Sequence, residues 1–176
     1  MCLAIKCPEV LLISCYELGH QPFSLASPLR FLSNDGINAA GIDLAVENIE
    51  AYEEEIKLAR VVFVSVRMHN ALRLGVAASK RVRELNTDAH ICFYGDYAGL
   101  NSEYLFEEQC ANSTISGEFE SAIVDLARAV IEDCFQYKKP PSGVRTLQKM
   151  AEPVLQRTAF VVPERMDLPQ FGNYAH

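Results

Sequence analysis

The sequence predicts an α/β domain of three layers, with helices covering both faces of a parallel sheet. Short apolar runs rich in β-branched residues alternate with segments of helical period, five of each between residues 10 and 135. Hydrophobic residues make up 49% of the 176-residue chain and charged residues 22%, which is enough apolar material for a packed core.

The first half of the chain supplies three strands and two helices. Strand one, Val10–Cys15, is an apolar run that ends in a polar loop. Helix one, Pro22–Asn34, starts at a proline and repeats leucine on one face. Strand two is Ala39–Val46, and the helix Ile49–Ala59 carries three consecutive glutamates on an exposed face. Strand three, Arg60–Val66, is apolar and β-branched, which is typical of a strand buried on both faces.

The second half repeats the alternation. Asn70–Leu85 keeps an apolar stripe at helical spacing, and strand four follows at His90–Tyr94. Ser102–Cys110 is predicted as a short helix with a serine cap, and Ser113–Ser116 as a brief strand five. Glu120–Phe135 carries a wide apolar stripe and is predicted as the last helix.

Five strands in this alternation favour a flavodoxin-like, Rossmann-like three-layer sandwich with the strand order 2-1-3-4-5 and right-handed crossovers. The alternation of strand and helix patterns ends after residue 135. Residues 138–143 read KKPPSG, which is typical of a linker. We therefore predict one α/β domain over residues 1–136, followed by a linker and an extended C-terminal tail over residues 137–176.

Charge and composition exclude several classes of function. The net charge of −7 argues against a nucleic-acid surface, because phosphate binding needs a basic patch. No apolar run approaches the ~18 residues that span a bilayer, and the N-terminus lacks the apolar core of a signal peptide. The six cysteines form no CxxC pair, so we expect buried free thiols and a cytoplasmic protein. They are Cys2, Cys7, Cys15, Cys92, Cys110 and Cys134.

A ligand of such a sheet binds beyond the carboxyl ends of the strands, at the switch point between strands one and three. The candidate site is therefore formed by the loops at residues 17–21, 67–70, 95–99 and 117–120. Three of these four loops contain glycine, which lets the backbone approach a ligand closely.

Several ligands can be tested against these loops. A phosphoacceptor domain needs an acidic pair after strand one and an aspartate after strand three, and both are missing. The first loop, ELGHQPF, has no hydroxyl for a flavin phosphate, and no GxGxxG for a dinucleotide is present. Cobalamin remains: its nucleotide tail would thread between strands one and three while the flat corrin ring lies across the loop tips.

The segments ELGHQPFSLASPLRFL, VFVSVRMHNALRLG, HICFYGDYAGLNSEYLFE and ISGEFESAIVDLA together resemble the N-terminal cobalamin-binding domain of B12-dependent radical S-adenosylmethionine enzymes. The tail FVVPERMDLPQFGNYAH resembles the segment that leads into their radical domain, so the likeness covers nearly the whole chain. It implies bound cobalamin as partner and cofactor, and a methyltransferase-like enzyme whose radical S-adenosylmethionine domain or subunit lies outside this chain.

Two departures from related patterns matter. The DxHxxG signature of other cobalamin domains is missing, since Glu17 and His20 are spaced ExxH. The CxxxCxxC that would hold a 4Fe–4S cluster is also missing. We therefore expect the cluster and S-adenosylmethionine only in a fuller-length protein, and no catalysis by this chain alone.

The predicted site contains no catalytic residue. His20 is the candidate cobalt ligand, with a hydrogen-bonded loop histidine as the alternative. His69 and Arg67 are candidates for the corrin amides, with helix capping and a surface ion pair as their alternatives. Carboxylates such as Glu118 also favour a helix start through the macrodipole alone. The predicted cofactor-binding residues are Leu18, Gly19, His20, Ser65, Arg67, Met68, His69, Tyr94, Gly95, Tyr97, Gly117, Glu118 and Phe119.

Two alternative functions stay open at this point. The same fold serves as a cobalamin-free interaction or regulatory module, or as a domain for another nucleotide-like ligand. Retention of a corrin chromophore separates these from the cobalamin hypothesis.

Overall fold

The computed structural model describes residues 7–155 and 159–174, which form a six-stranded sheet with helices on both faces. The strand order is β2-β1-β3-β4-β5-β6, so the predicted order of the first five strands is confirmed. These five are parallel, and β6 is antiparallel to β5. The strands are β1 Val10–Ser14, β2 Ala39–Asp43, β3 Val61–Ser65, β4 His90–Tyr94, β5 Ser113–Ile115 and β6 Val144–Thr146.

The sixth strand corrects the prediction of five. Its three residues lie within the segment that was predicted as linker and tail. They pair with β5 across a long stretch of intervening chain, and a run this short shows no sequence period. The predicted domain boundary at residue 136 stays a prediction.

The helices are divided between the two faces of the sheet. Helices α1 and α6 pack on one face, and α2 to α5 cover the other. A short 3₁₀ turn, Ile49–Tyr52, leads into α2. The helices are α1 Phe23–Asn34, α2 Glu53–Leu58, α3 His69–Leu85, α4 Asp96–Leu100, α5 Ser102–Glu107 and α6 Glu120–Ile131.

Four helix predictions were wrong in detail. The predicted helix Ile49–Ala59 is a 3₁₀ turn followed by α2, and the predicted helix Ser102–Cys110 ends at Glu107. Residues 96–100 form α4, although the sequence analysis placed them in a loop. Helix α6 ends at Ile131 rather than at Phe135, because Asp133 adopts a left-handed φ of 55° that stops the helix. Cys134 consequently lies outside the helix and is exposed.

The central strands alternate their side chains between two apolar layers. Leu11 and Ile13 of β1 face α2 and α3, while Val10 and Leu12 face α1 and α6. All four are fully buried. Burial on both faces explains why the strands read as continuous apolar runs.

The prediction of buried thiols is confirmed for three cysteines and wrong for two. Cys15, Cys92 and Cys110 are buried, and burial raises the pKa of Cys15 and of Cys92 to about 12. Cys7 and Cys134 are exposed. Cys2 lies outside the described residues.

Residues 159–174, which we call the strap, run along α1 and the edge of β2. The Glu164 N–H donates to the Ala26 carbonyl at 2.8 Å, and the Glu164 carboxylate pairs with Arg30 at 2.8 Å. At its end, the Tyr174 hydroxyl donates to Asp43 at 2.6 Å. Burial raises the pKa of Asp43, and the bond from Tyr174 partly offsets that shift. The strap is thus anchored to the domain at Glu164 and at Tyr174.

Within the part of the chain that the structure describes, no helix has the length and apolar composition needed to cross a membrane.

His90 is a buried histidine at the amino end of β4. Its Nε2 is 2.8 Å from the Ser113 hydroxyl, and its ring packs on Phe135 with centroids 4.6 Å apart. Burial lowers its pKa to about 4, and the nearby Arg83 charge acts in the same direction. The native state therefore holds His90 neutral.

We expect His90 to make the fold acid-sensitive. The unfolded chain takes up a proton below about pH 6.5, whereas the folded chain does not until about pH 4. Stability is therefore fully present above pH 6.5, and we expect a loss of about 2 kcal/mol between neutral pH and pH 5. Urea unfolding at both pH values should show this decline, and His90→Phe should show a smaller one. An equal decline in both proteins would contradict this assignment.

Candidate functional site

The carboxyl ends of the strands carry a row of polar side chains on the face covered by α1 and α6. Asp43, Ser14, Ser65 and Tyr94 lie side by side in register on β2, β1, β3 and β4. All four are at most 4% exposed. The ends of β1 and β3 carry the small hydroxyl residues Ser14 and Ser65, and the large phenol of Tyr94 on β4 is next to Ser65 in the register.

The loop after β1 is a tight turn in a strained conformation. Leu18 and Gly19 have φ values of 56° and 74°, and the His20 N–H donates to the Glu17 carbonyl at 3.0 Å, as in a type I′ turn. A left-handed leucine is unfavourable, and 62% of the Leu18 surface is exposed. The turn therefore presents an apolar side chain at the carboxyl edge of the sheet.

Glu17 ties this turn to two other elements. Its carboxylate accepts hydrogen bonds from the Ser24 hydroxyl at 2.7 Å and from the Ser24 N–H at 3.3 Å, at the start of α1. The same carboxylate is 3.8 Å from the Arg67 guanidinium. Negative charge at a helix N-terminus is stabilising, so Glu17 serves as a remote cap. The sequence analysis did not give Glu17 this role.

Tyr94 crosses from β4 to α1. Its hydroxyl donates to the Ser24 carbonyl at 2.7 Å. In a regular helix that carbonyl would accept from the N–H of residue 28, but Pro28 has none. Burial raises the pKa of Tyr94, which therefore stays a neutral donor. The tyrosine thus satisfies a carbonyl that the proline leaves without its usual partner.

The ring of Tyr94 also packs on Phe119, with centroids 5.0 Å apart. Together these rings fill the space between α1, α6 and the ends of β1 and β3. We call this space the slot. It is the place where the sequence analysis put the nucleotide tail of cobalamin.

A buried carboxylate borders the slot at the start of α6. Glu120 is 8% exposed, and its Oε1 accepts a hydrogen bond from the Ser27 hydroxyl at 2.8 Å. Its Oε2 is buried and has no hydrogen-bond partner. Such an atom carries a desolvation cost that a ligand with a hydroxyl or N–H would offset.

Two of the predicted glycines are required by the chain itself. Gly95 and Gly117 have φ values of 103° and 80°. A Cβ on Gly95 would lie 2.9 Å from the Val66 carbonyl oxygen, and one on Gly117 would lie 2.2 Å from that of Val154. Backbone packing therefore accounts for both glycines, and their role toward a ligand stays a prediction.

The other predicted site residues differ in their access to solvent. Those exposed at the carboxyl edge are Leu18, His20, Arg67, His69 and Glu118. Those half-buried are Gly19, Met68, Tyr97, Gly117 and Phe119. Ser65, Tyr94 and Gly95 are buried. In the described ranges, no group of three or more histidine, cysteine or acidic side chains could hold a metal ion, and the role of His20 as a single cobalt ligand stays a prediction.

A cavity of about 560 Å³ adjoins the loop after β1 on the side of α3. It is lined by Tyr16, Asn70, Arg73 and Leu74. The exposed residues of the predicted site and this cavity together form an open, mixed polar and apolar surface, which suits a broad planar ligand.

The fold is similar to parts of two solved enzymes. One is the radical S-adenosylmethionine methyltransferase TsrM from Kitasatospora setae, with cobalamin and a [4Fe-4S] cluster bound. The match has a TM-score of 0.64 and a sequence identity of 17%, and it covers 78% of this chain and 27% of the TsrM chain. The other is the cobalamin-dependent S-adenosylmethionine radical enzyme OxsB, with aqua-cobalamin and S-adenosylmethionine bound. The match has a TM-score of 0.65 and a sequence identity of 14%, and it covers 85% of this chain and 23% of the OxsB chain. The resemblance stated from the sequence is thereby confirmed for the fold.

The adenylate cyclase from Rhodopirellula baltica is also similar, with a TM-score of 0.52 at 17% identity over 72% of this chain and 90% of that one. No protein-family model matches the sequence, and no curated protein matches it either. The chain spans about a quarter of the length of TsrM and OxsB.

Proposed function

We propose that this domain binds cobalamin at the carboxyl edge of its sheet and presents it to a radical S-adenosylmethionine domain or subunit. The observation that carries the proposal is the buried Glu120 oxygen without a partner, in a slot bordered by Ser14 and Ser65. A nucleotide tail brings hydroxyl groups that would pair with this oxygen. The fold shared with two cobalamin-bound enzymes supports the same assignment.

The exposed turn would carry the corrin ring. Leu18 offers an apolar contact, while Arg67 and His69 offer donors to the carbonyl groups of the corrin amides. When bound, cobalamin supplies a cobalt centre that carries methyl groups. The protein's own part is to hold the ring and to shield one of its faces from water. A 4Fe–4S cluster and S-adenosylmethionine would belong to the fuller-length protein.

One observation favours a second candidate function, a cobalamin-free interaction module. The Tyr94 ring is fully buried in the slot and hydrogen-bonded there, so a nucleotide tail can enter only after this side chain moves. In a cobalamin-free relative, Tyr94 would be a permanent part of the core.

Hydroxocobalamin separates the two candidates. Purified protein is mixed with hydroxocobalamin, desalted, and its absorption spectrum recorded. The same is done with cobinamide, which lacks the nucleotide tail. The proposal predicts that a corrin band co-elutes with protein and that cobalamin is retained better than cobinamide. Loss of both corrinoids on desalting would favour the cobalamin-free module.

We expect Leu18→Asp to weaken hydroxocobalamin binding by about tenfold, because it replaces an apolar contact of the ring with a charge. Aspartate tolerates the left-handed region better than leucine, so the fold should not suffer. Binding is measured by titration of the corrin absorbance. Leu58→Asp is the matched control, since Leu58 is 57% exposed at the end of α2, near the opposite edge of the sheet. Equal affinities of the two variants would exclude this turn from the site.

A further inference from the structure

A second cavity lies at the β6 end of the sheet, away from the β1–β3 switch point. It has a volume of about 450 Å³, within the range of small-molecule sites. Residues of α4, α5, β5 and β6 line it, and the segment at 151–155 closes one side. We call it the edge cavity.

Arg145 of β6 is the cation of the edge cavity. Its side chain is only 18% exposed, and its Nε is buried without a hydrogen-bond partner. Its Nη2 lies 3.4 Å from Glu103, whose side chain is 83% exposed, so this ion pair is long and mostly in water. The guanidinium carbon is 6.0 Å from the Phe106 ring centroid. A charged donor buried in this way is costly unless an acceptor meets it.

Two hydroxyls that line the edge cavity, those of Thr114 and Ser102, have partners within the protein. The Thr114 hydroxyl donates to Ser102 Oγ at 3.2 Å. The Ser102 hydroxyl lies 2.7 Å from the Gly99 carbonyl and 3.0 Å from that of Ala98. Arg145 Nε is therefore the buried donor left for a ligand.

The remaining lining favours a ligand with a small apolar body. Leu100, Ala151, Pro153 and Leu155 contribute apolar surface, and Leu100 and Leu155 are 81% and 85% exposed. Asp96 also lines the cavity, and its negative charge disfavours a ligand with several negative charges. These features favour a single carboxylate over a phosphate.

We propose that the edge cavity binds a small monocarboxylate, with the carboxylate on Arg145 and an apolar body against Leu100 and Leu155. Charge-assisted hydrogen bonds between guanidinium and carboxylate are among the strong ones, and Arg145 Nε together with an Nη can form the paired contact. The edge cavity shares Gly117 and the 95–99 segment with the predicted cobalamin site, but the contacts proposed for the carboxylate do not require bound cobalamin.

The test uses benzoate as the probe, with benzamide as its neutral counterpart and inorganic phosphate as the competing anion. ¹H–¹⁵N spectra of the protein report the Arg145 Nε–H resonance directly. We expect benzoate to shift this resonance and the Gly99 and Gly143 amides in a saturable manner, and benzamide to leave the Nε–H resonance in place.

Two variants at the site and one control variant sharpen the result. Arg145→Gln should weaken benzoate binding about tenfold or more, whereas the matched Arg128→Gln, at a 45% exposed side chain of α6, should not change it. Glu103→Gln removes a competing carboxylate on the surface, so it should strengthen binding by about twofold to fivefold. Glu103→Gln carries little risk to folding, because Glu103 is exposed.

Each of three results would overturn the proposal: no saturable shift with benzoate, an equal Nε–H shift with benzamide, or shifts with phosphate alone. An affinity for benzoate that Arg145→Gln leaves unchanged, in a variant with an otherwise native spectrum, would overturn it as well.

Discussion

Tyr94→Ala is expected to lower the free energy of unfolding by about 3–5 kcal/mol, the usual cost of removing a buried aromatic ring. The ring is fully buried and packs edge-on against Phe63 and Phe119, with centroids 6.3 Å and 5.0 Å away. The change also leaves the Ser24 carbonyl without its donor. Urea unfolding followed by circular dichroism measures the effect. A loss below about 1 kcal/mol would show that this ring contributes little to the core.

The hydroxyl can be separated from the ring. Tyr94→Phe keeps the packing and removes the donor to Ser24, so we expect a cost of about 1–3 kcal/mol. Pro28→Ala restores an N–H at residue 28, which can donate to the same carbonyl as in a regular helix. Tyr94→Phe should therefore cost less in the Pro28→Ala background. Equal costs in both backgrounds would mean that the bond to Ser24 is not what Tyr94 contributes.

The Tyr94 variants also bear on the ligand. If a nucleotide tail enters the slot, Tyr94→Ala should favour hydroxocobalamin over cobinamide more strongly than the unaltered protein does. If Tyr94 is a fixed part of the core in a cobalamin-free module, the variant gains no preference. The quantity compared is the ratio of the affinities for hydroxocobalamin and cobinamide. A general loss of stability lowers both affinities and therefore does not change this ratio.

The second large effect is expected at Gly117. Gly117→Ala forces a Cβ to within 2.2 Å of the Val154 carbonyl oxygen in a left-handed backbone. The clash should break the pair of hydrogen bonds that join Glu118 N–H to Val154 O at 2.8 Å and Val154 N–H to Ser116 O at 2.9 Å. Left-handed strain plus two lost bonds predicts about 2–4 kcal/mol. Hydrogen exchange at Glu118 and Val154 should accelerate.

Gly36→Ala is the matched control for this prediction. Gly36 has a similar φ of 76°, yet a Cβ there meets nothing within 4 Å. Gly36→Ala should lower the free energy of unfolding by about 1 kcal/mol, which is the cost of placing alanine in a left-handed backbone. If the two variants are equally stable, the contact with Val154 does not hold the 151–155 segment in place.

The order of the first five strands could be predicted because it depends on local signals. Strands buried on both faces read as apolar runs, and the helices between them carry one apolar stripe each. Helix α4 was not predicted, because its five residues follow a glycine with a φ of 103° and are too few to show a helical period. Strand β6 was not predicted, because it pairs with a strand, β5, that is distant from it in the sequence.

The position of the candidate loops relative to the sheet could be predicted, but the contacts among their side chains could not. The loops at the carboxyl edge follow from the strand order. The Tyr94 bond to Ser24 spans 70 positions in sequence and depends on a proline within α1. The partnerless atoms of Glu120 and Arg145 depend on which neighbours fail to reach them. Contacts between residues that are far apart in the chain produce no pattern that a single sequence would show.

The short antiparallel strand β6 has a consequence for the solution behaviour of the protein. A parallel sheet ending at β5 would expose a row of N–H and C=O groups on which strands of another molecule could add. Here Val144–Thr146 caps that row, and Thr146 turns back to pair with Lys149, so the new border is three residues long and ends in a charged turn. Removing the chain beyond residue 140 would uncover β5 and favour aggregation.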